Sequence, residues 1–183
     1  MGRDKALLEL DGVPMVVRMS RLVKPYVASV TVVGPPERYA SLGLCVMADR
    51  RQGAGPLGGI VTALGASSSH WNLVLGCDLP YLTTEWLVWL MARTVESPAQ
   101  AIVPESRRGL EPLAAMYSKD CALAFSIALE RGVRRVSEAL KGIFFERITA
   151  SQWHENASMD LLFQNMNTPE DFAEARRRIA NSV

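Results

Sequence analysis

Histidine and cysteine are scarce in this chain, with two of the first and three of the second among 183 residues. Cys45, Cys77 and Cys121 are odd in number, widely spaced and form no C-x-x-C pair. Neither a disulfide framework nor a structural zinc site is expected of them. Long apolar runs are missing too: none approaches the roughly 18 residues that cross a bilayer, and Met1-Gly2-Arg3-Asp4-Lys5 is not a signal peptide. Ala6 stands where an N-myristoylation signal wants Ser or Thr. Nor is there an excess of one charge. Lys+Arg number 20 and Asp+Glu 19, a net charge of +1, so no overall field draws the chain to nucleic acid or to an anionic membrane. Arginines cluster at Arg50-Arg51, Arg107-Arg108, Arg134-Arg135 and Arg176-Arg177-Arg178, but without interleaved aromatics or a nucleic-acid-binding motif. What is present is ordinary for a globular chain: 49% hydrophobic and 21% charged residues, which excludes disorder and fibrous repeats. The expectation is one soluble, reduced, cytoplasmic domain over residues 1–183, able to bury about 70% of its unfolded surface without a staple.

Apolar patterning alternates between two periods. Val13 to Lys24 reads as a helix with Pro14 in its first turn and Pro25 blocking its continuation. Val27 to Val33, Leu44 to Ala48 and Asn72 to Gly76 read as buried strands. Helical character follows over Ile60 to Ala66 and from Glu85 to Thr94, the latter capped by Thr83 or Thr84. Ala101 to Pro104, Leu113 to Tyr117 and Ile143 to Ile148 are further strands. Lys119 to Glu130 is a helix ended by Gly132, and Val136 to Lys141 a short one. Thr149 to Asp160 reads as polar and irregular. Thr168 as N-cap, Pro169 at the first position and acids in the first turn open a last helix to about Ile179. Short strands alternating with helices predict a layered α/β fold around a mostly parallel sheet.

Ligands of such sheets bind beyond the carboxyl ends of the strands, which singles out Asp49, Asp78 and the glycine-rich stretch Gln52 to Gly59. Asp78, after a buried strand and stiffened by Pro80, is placed to hold Mg²⁺ on a nucleotide's phosphates, because magnesium takes one or two carboxylates and completes its shell with water and phosphate. It could equally cap the following helix. Cys77 beside it reads as a small strand residue rather than a nucleophile. Gly53-Ala54-Gly55-Pro56-Leu57-Gly58-Gly59 opens a helix and could present backbone N–H groups to an anion, or be a tight connection with no ligand; it matches neither common phosphate-loop pattern. Lys5 could neutralise phosphate charge or be a solvated lysine, and Arg134-Arg135 could clamp a phosphate or be surface charge. Glu111-Pro112 is as ambiguous. Asn165 and Asn167 exceed what capping the last helix requires.

Taken in order, seven stretches resemble the molybdenum cofactor guanylyltransferases. They are Met1-Gly2-Arg3-Asp4-Lys5-Ala6-Leu7-Leu8, Val13-Pro14-Met15, Gly55-Pro56-Leu57-Gly58-Gly59, Cys77-Asp78-Leu79-Pro80, Glu111-Pro112-Leu113, Gly132-Val133-Arg134-Arg135 and Asn165-Met166-Asn167-Thr168-Pro169-Glu170. The resemblance covers essentially the whole chain. It implies a three-layer, Rossmann-like nucleotidyltransferase that joins GMP from GTP to the terminal phosphate of molybdopterin carrying molybdenum and releases pyrophosphate. By position, Lys5 and Asp78 would be catalytic and Asp78 would hold Mg²⁺. Lys5, Asp49, Gly55, Pro56, Leu57 and Asp78 would bind the nucleotide, and Arg134, Asn165 and Asn167 would line the pterin-phosphate side. The mechanism implied is in-line attack on the α-phosphorus, driven by positioning and charge neutralisation. Molybdoenzymes or their chaperones would be partners.

Two departures stand out. The family's buried strand and L-A-G-G-x-S-x-R loop, which precede M-G-x-D-K, do not occur here, so the chain is expected to be shortened by a strand and a loop. Gly34 replaces the Asn usual near the base, and Val33-Gly34-Pro35 looks more like cytidylyl relatives. A CTP-dependent enzyme for the same cofactor and a non-catalytic cofactor-binding domain are the alternatives. Sugar-phosphate nucleotidyltransferases rank lower, since they usually carry Pro where this chain has Asp4.

Overall fold

The computed structural model describes residues 4–51, 53–153 and 158–180. Met1, Gly2 and Arg3 of the opening motif, Gln52 at the head of the glycine-rich stretch, and His154 lie outside the described residues.

The chain enters through a one-turn 3-10 helix, Lys5–Leu7, in which the Asp4 side chain accepts from the Ala6 N–H. Strands β1 (Glu9–Leu10) and β2 (Val13–Pro14) form a small antiparallel hairpin around Asp11-Gly12. Both turn residues are left-handed, with φ of 52° and 72°, as a two-residue hairpin turn requires and as Asp-Gly tolerates best. The hairpin takes Val13 and Pro14 from the predicted helix, so α1 is Met15–Val23.

Next come β3 (Val32–Val33), α2 (Pro36–Tyr39) and β4 (Val46–Met47); β3 and β4 are parallel. Helix α3 (Gly55–Ala66) starts earlier than predicted, because Gly55, with φ of 65°, turns the chain directly into it and Pro56 suits its first turn. Then follow β5 (Trp71–Leu75), α4 (Thr84–Ala92, capped by Thr83), β6 (Ala101–Ser106), β7 (Gly109–Leu110) and β8 (Ala114–Ser118). After α5 (Cys121–Glu130) and α6 (Val136–Ala139) come β9 (Phe145–Ile148), α7 (Met159–Leu162) and α8 (Pro169–Ala180). Helix α7 begins inside the stretch read as irregular.

The larger sheet has five strands in the order β5-β8-β6-β7, with β9 on the other edge of β6. Its direction corrects the expectation of a mostly parallel sheet. β5, β6 and β9 run one way, but β8 lies antiparallel between β5 and β6, and β7 is the hairpin partner of β6. The sheet is therefore mixed. The cause is chain economy: the short Gly109 hairpin returns the chain beside β6, and only a strand entering reversed can follow so closely.

The three layers follow from the strand period of two. From β8, Ala114 and Met116 face one core and Ala115 and Tyr117 the other; from β6, Ile102 faces the first and Ala101 and Val103 the second. The first core is closed by α1, α4, α7 and α8, around Trp86, Trp153 and Phe163. The second is closed by α3, α5 and α6, around Leu57, Phe125 and Leu140. β8 is bonded on both sides and wholly buried, whereas β5 is bonded only to β8 among the described residues and is half-buried throughout. No helix of the described residues is long and apolar enough to cross a membrane.

Candidate functional site

Three segments remote in sequence meet just past the carboxyl end of β5. Gly76 leaves the strand donating its N–H to the Leu113 carbonyl at 2.7 Å, which fixes the backbone there. Two residues on, Asp78 turns its carboxylate back over Gly76. A Cβ at position 76 would stand 3.0 Å from Asp78 Oδ1, so the bare backbone is what lets the carboxylate lie there. Lys5, on the 3-10 turn, reaches Asp78 Oδ2 with its Nζ at 3.4 Å and donates to Asn167 Oδ1 at 2.5 Å. The Lys5 and Asp78 side chains are 33% and 21% exposed, open enough for a ligand yet held.

Asn167 is aimed by the start of α8. Asp171 accepts from the backbone N–H groups of Asn167 and Thr168 at 2.9 and 2.8 Å, and its own N–H donates to the Thr168 hydroxyl at 3.1 Å. This reciprocal cap holds the Asp171 carboxyl below its ordinary value, through the backbone bonds from Thr168 and Asn167. The preceding segment is tied to the site directly, as Met166 donates its N–H to the Asp78 carbonyl at 3.0 Å. Asn165 buries its side-chain oxygen with no hydrogen-bond partner among the described residues, an acceptor that a donor N–H or O–H would satisfy.

The other predicted residues divide. The Asp49 carboxylate accepts from the Arg51 N–H at 2.8 Å and the Thr62 hydroxyl at 2.9 Å, so it shapes the loop into α3. Gly55 and Pro56 are exposed at the start of α3, but Leu57 is 0% exposed in the second core; Leu57 can offer a ligand only its backbone. The Arg134 guanidinium donates to the carbonyls of Leu129 and Val133 at 3.0 and 3.1 Å, closing the end of α5. Its backbone carbonyl lies 3.7 Å from where a Cβ on Gly55 would stand, so Arg134 borders the α3 start.

Burial, with the charges of Asp78 and Asp4 beside it, pushes the Cys77 thiol up to about 11. Cys77 therefore stays a thiol at neutral pH, in line with a strand-end packing residue. Glu111 accepts from the Ser106 hydroxyl at 2.6 Å, and burial raises its carboxyl above the ordinary range.

Asp4, Arg38, Tyr39 and Gly76 were not singled out as site residues by sequence reasoning. Asp4 accepts from the Tyr39 hydroxyl at 2.8 Å and from Arg38 Nη1 at 3.2 Å, contacts between positions 34 and 35 apart that no local pattern shows. The signal for Gly76 was present: a glycine placed two residues before a candidate ligand at a strand end.

Asp78 is the carboxylate of this set that could hold a hard divalent cation. One carboxylate, Asp78, stands beside a lysine, and the described residues hold no group of three or more His, Cys, Asp or Glu that could cage an ion. Such a site completes a hard cation's shell only with water and substrate phosphates, as Mg²⁺ prefers.

The chain matches the family described as "MobA-like NTP transferase domain" over residues 1–143. It is 32% identical over 183 residues to a protein of Pelotomaculum thermopropionicum named "Probable molybdenum cofactor guanylyltransferase", covering 100% of this chain and 88% of that protein. A protein of Methanothermobacter thermautotrophicus with the same name is 34% identical over 180 residues, covering 93% and 90%. Among solved structures, molybdopterin-guanine dinucleotide biosynthesis protein A from Archaeoglobus fulgidus superposes with a TM-score of 0.84 at 22% identity, covering 98% of this chain and 92% of that one. At that identity, the likeness speaks for the fold.

Proposed function

The chain belongs to the MobA-like NTP transferase family, and from that premise we propose that it transfers GMP from GTP to the phosphate of the molybdopterin-bound molybdenum cofactor, releasing pyrophosphate. The observation that carries the reading is the meeting of Lys5, Asp78 and Asn167 at one strand end. Lys5 contributes an ammonium to the phosphate chain, where it offsets the negative charge that builds at the transferred phosphorus. Asp78 would hold Mg²⁺, which would supply charge neutralisation to the phosphates. Asn167 holds Lys5 in reach, and Asn165, two positions before it, would serve the acceptor-substrate side. The start of α3, where Gly55 is exposed, would carry the partial positive charge of a helix N-terminus toward an anion. Little covalent chemistry is asked of the protein; its task is to hold two phosphates in line. The reaction takes place in the cytoplasm, and the product passes to molybdoenzymes or their chaperones.

A CTP-dependent reaction on the same cofactor is the second reading, favoured by one observation. Gly34, next after β3, offers no side chain to a guanine edge, and the Tyr39 ring fills the space an Asn would need. The test is pyrophosphate release from GTP and from CTP, each with Mg²⁺ and molybdenum cofactor, together with thermal stabilisation by each nucleotide. Turnover with GTP at least tenfold over CTP is expected. Turnover and stabilisation by CTP alone would establish the second reading, and neither with any nucleotide would leave a cofactor-binding domain.

A further inference from the structure

Lys5 sits on a single helical turn three residues long, and a turn that short has no stability of its own. Something outside it must hold the lysine in place. Asp4 does so with both oxygens. Oδ1 accepts the Ala6 N–H at 3.1 Å, closing the turn, while Oδ2 accepts the Tyr39 hydroxyl at 2.8 Å and Arg38 Nη1 at 3.2 Å. One carboxylate thus bolts the Lys5 turn to the end of α2.

The partner side is fixed. Tyr39 is 7% exposed and packs with Ala6 and Val16, against Val32 and Cys77. Its ring lies over Gly34, so closely that a Cβ there would stand 2.8 Å from Tyr39 Cε2. Any side chain at position 34 would push the ring away, and with it the hydroxyl that reaches Asp4. Burial and the neighbouring Asp4 push the Tyr39 hydroxyl up to about 12, so it remains a donor at neutral pH. Burial alone would raise the Asp4 carboxyl, but the bonds from Tyr39, Ala6 and Arg38 outweigh it and hold the group below its ordinary value, as an ionised acceptor.

We propose that Asp4 is a positioning residue for Lys5, held by Tyr39 and Arg38, and that Gly34 is bare so that the Tyr39 ring can seat. The sequence departure at Gly34 then has a structural partner: this chain uses the space for a clamp on the phosphate-binding lysine. The proposal rests on the reading of Lys5 as a phosphate contact, and its test separates the two.

The variants are Tyr39→Phe and Gly34→Ala, each alone and in the Lys5→Ala background, with Phe125→Leu in the second core as a control for general destabilisation. Amide exchange followed by NMR reads the clamp, and kcat and KM for GTP read its use. Tyr39→Phe should speed exchange at Ala6, Leu7 and Leu8 about tenfold and leave the β8 amides unchanged. It should lower kcat about tenfold with KM within twofold, since a misaimed lysine fails the transition state more than the ground state. Gly34→Ala should do the same, and the two together should add little. In the Lys5→Ala background neither should lower kcat further, and Phe125→Leu should change neither kcat nor KM. Unchanged exchange at the turn overturns the proposal, as does a kcat loss of equal size without Lys5. If the unaltered chain turns over no nucleotide, the proposed function fails; the clamp is then judged by exchange alone, sustained by acceleration confined to the turn and overturned by none.

Discussion

Gly76→Ala offers a substitution in which activity and stability should part. The Cβ it introduces would stand 3.0 Å from Asp78 Oδ1, 3.6 Å from Leu113 Cβ and 3.7 Å from the Leu113 carbonyl oxygen. The two Leu113 distances are ordinary contacts. The first is not, and reaching the 3.4 Å at which ordinary contact begins asks for a shift of about 0.4 Å. The backbone at residue 76 is held by its 2.7 Å bond to Leu113, so the Asp78 carboxylate is the part that yields. Misplacing a reacting group by about 1 Å costs on the order of 100-fold; on a logarithmic scale, about 0.4 Å costs roughly fivefold to tenfold. Stability should scarcely move, because replacing glycine where the backbone permits restrains the unfolded chain by about 0.4–1 kcal/mol and offsets the crowding. The assay is pyrophosphate release against Mg²⁺ concentration, paired with urea unfolding. A fivefold to tenfold loss of kcat/KM, a higher Mg²⁺ requirement and a stability change within about 1 kcal/mol are expected. In an Asp78→Asn background the same substitution should cost little more. Full activity in Gly76→Ala, or a loss matched by a drop in the urea midpoint, would refute the placement of Asp78.

Three further outcomes follow from the packing and the titrating groups. Trp86 is 0% exposed, with ring centroids 5.0 Å from Trp153 and 5.3 Å from both Trp89 and Phe163; Trp86→Ala should cost about 3–5 kcal/mol in urea unfolding. Trp86→Phe should cost clearly less, since the buried indole N–H has no hydrogen-bond partner among the described residues to lose. Alkaline pH should unfold the protein: Cys77 and Cys121 rise from 9.0 to about 11 and Tyr39 from 10.0 to about 12 on folding. The folded state then holds protons that the unfolded state has lost, so stability falls as pH rises from about 9 to about 12. Tyr39→Phe should flatten the upper part of that fall in a pH series of melting temperatures. Iodoacetamide at neutral pH should label exposed Cys45 before Cys77 and buried Cys121, and mass mapping in the reverse order would contradict the burial.

The legible parts of the fold share a physical character. Thr83 before α4 and Thr168-Pro169 before α8 are local signals, and each marks its helix start where it was read. The apolar strands Trp71–Leu75 and Ala101–Ser106 announce themselves because helices cover both faces. The Asp11-Gly12 turn is itself a local hairpin signal, and its second strand takes Val13 and Pro14 from the helix expected over Val13 to Lys24. Strand direction was not legible at all: nothing in Ala114–Ser118 says it runs against both neighbours, since an apolar run reads the same either way.

By itself the sequence determined composition class, the alternation of helix and strand, the family, and the identity of Lys5, Asp78 and Asn167 as residues worth watching. These are local or ordered properties, carried by periodicity, caps and motif spacing. Only the tertiary structure decided that Lys5 bonds to Asn167 162 positions away and meets Asp78 73 positions away. It likewise decided that Arg134 closes a helix end, that Leu57 is core, and that Asp4 is tied to Tyr39 over a bare Gly34. Such contacts depend on where separate segments end in space, and a linear pattern has no coordinate for that.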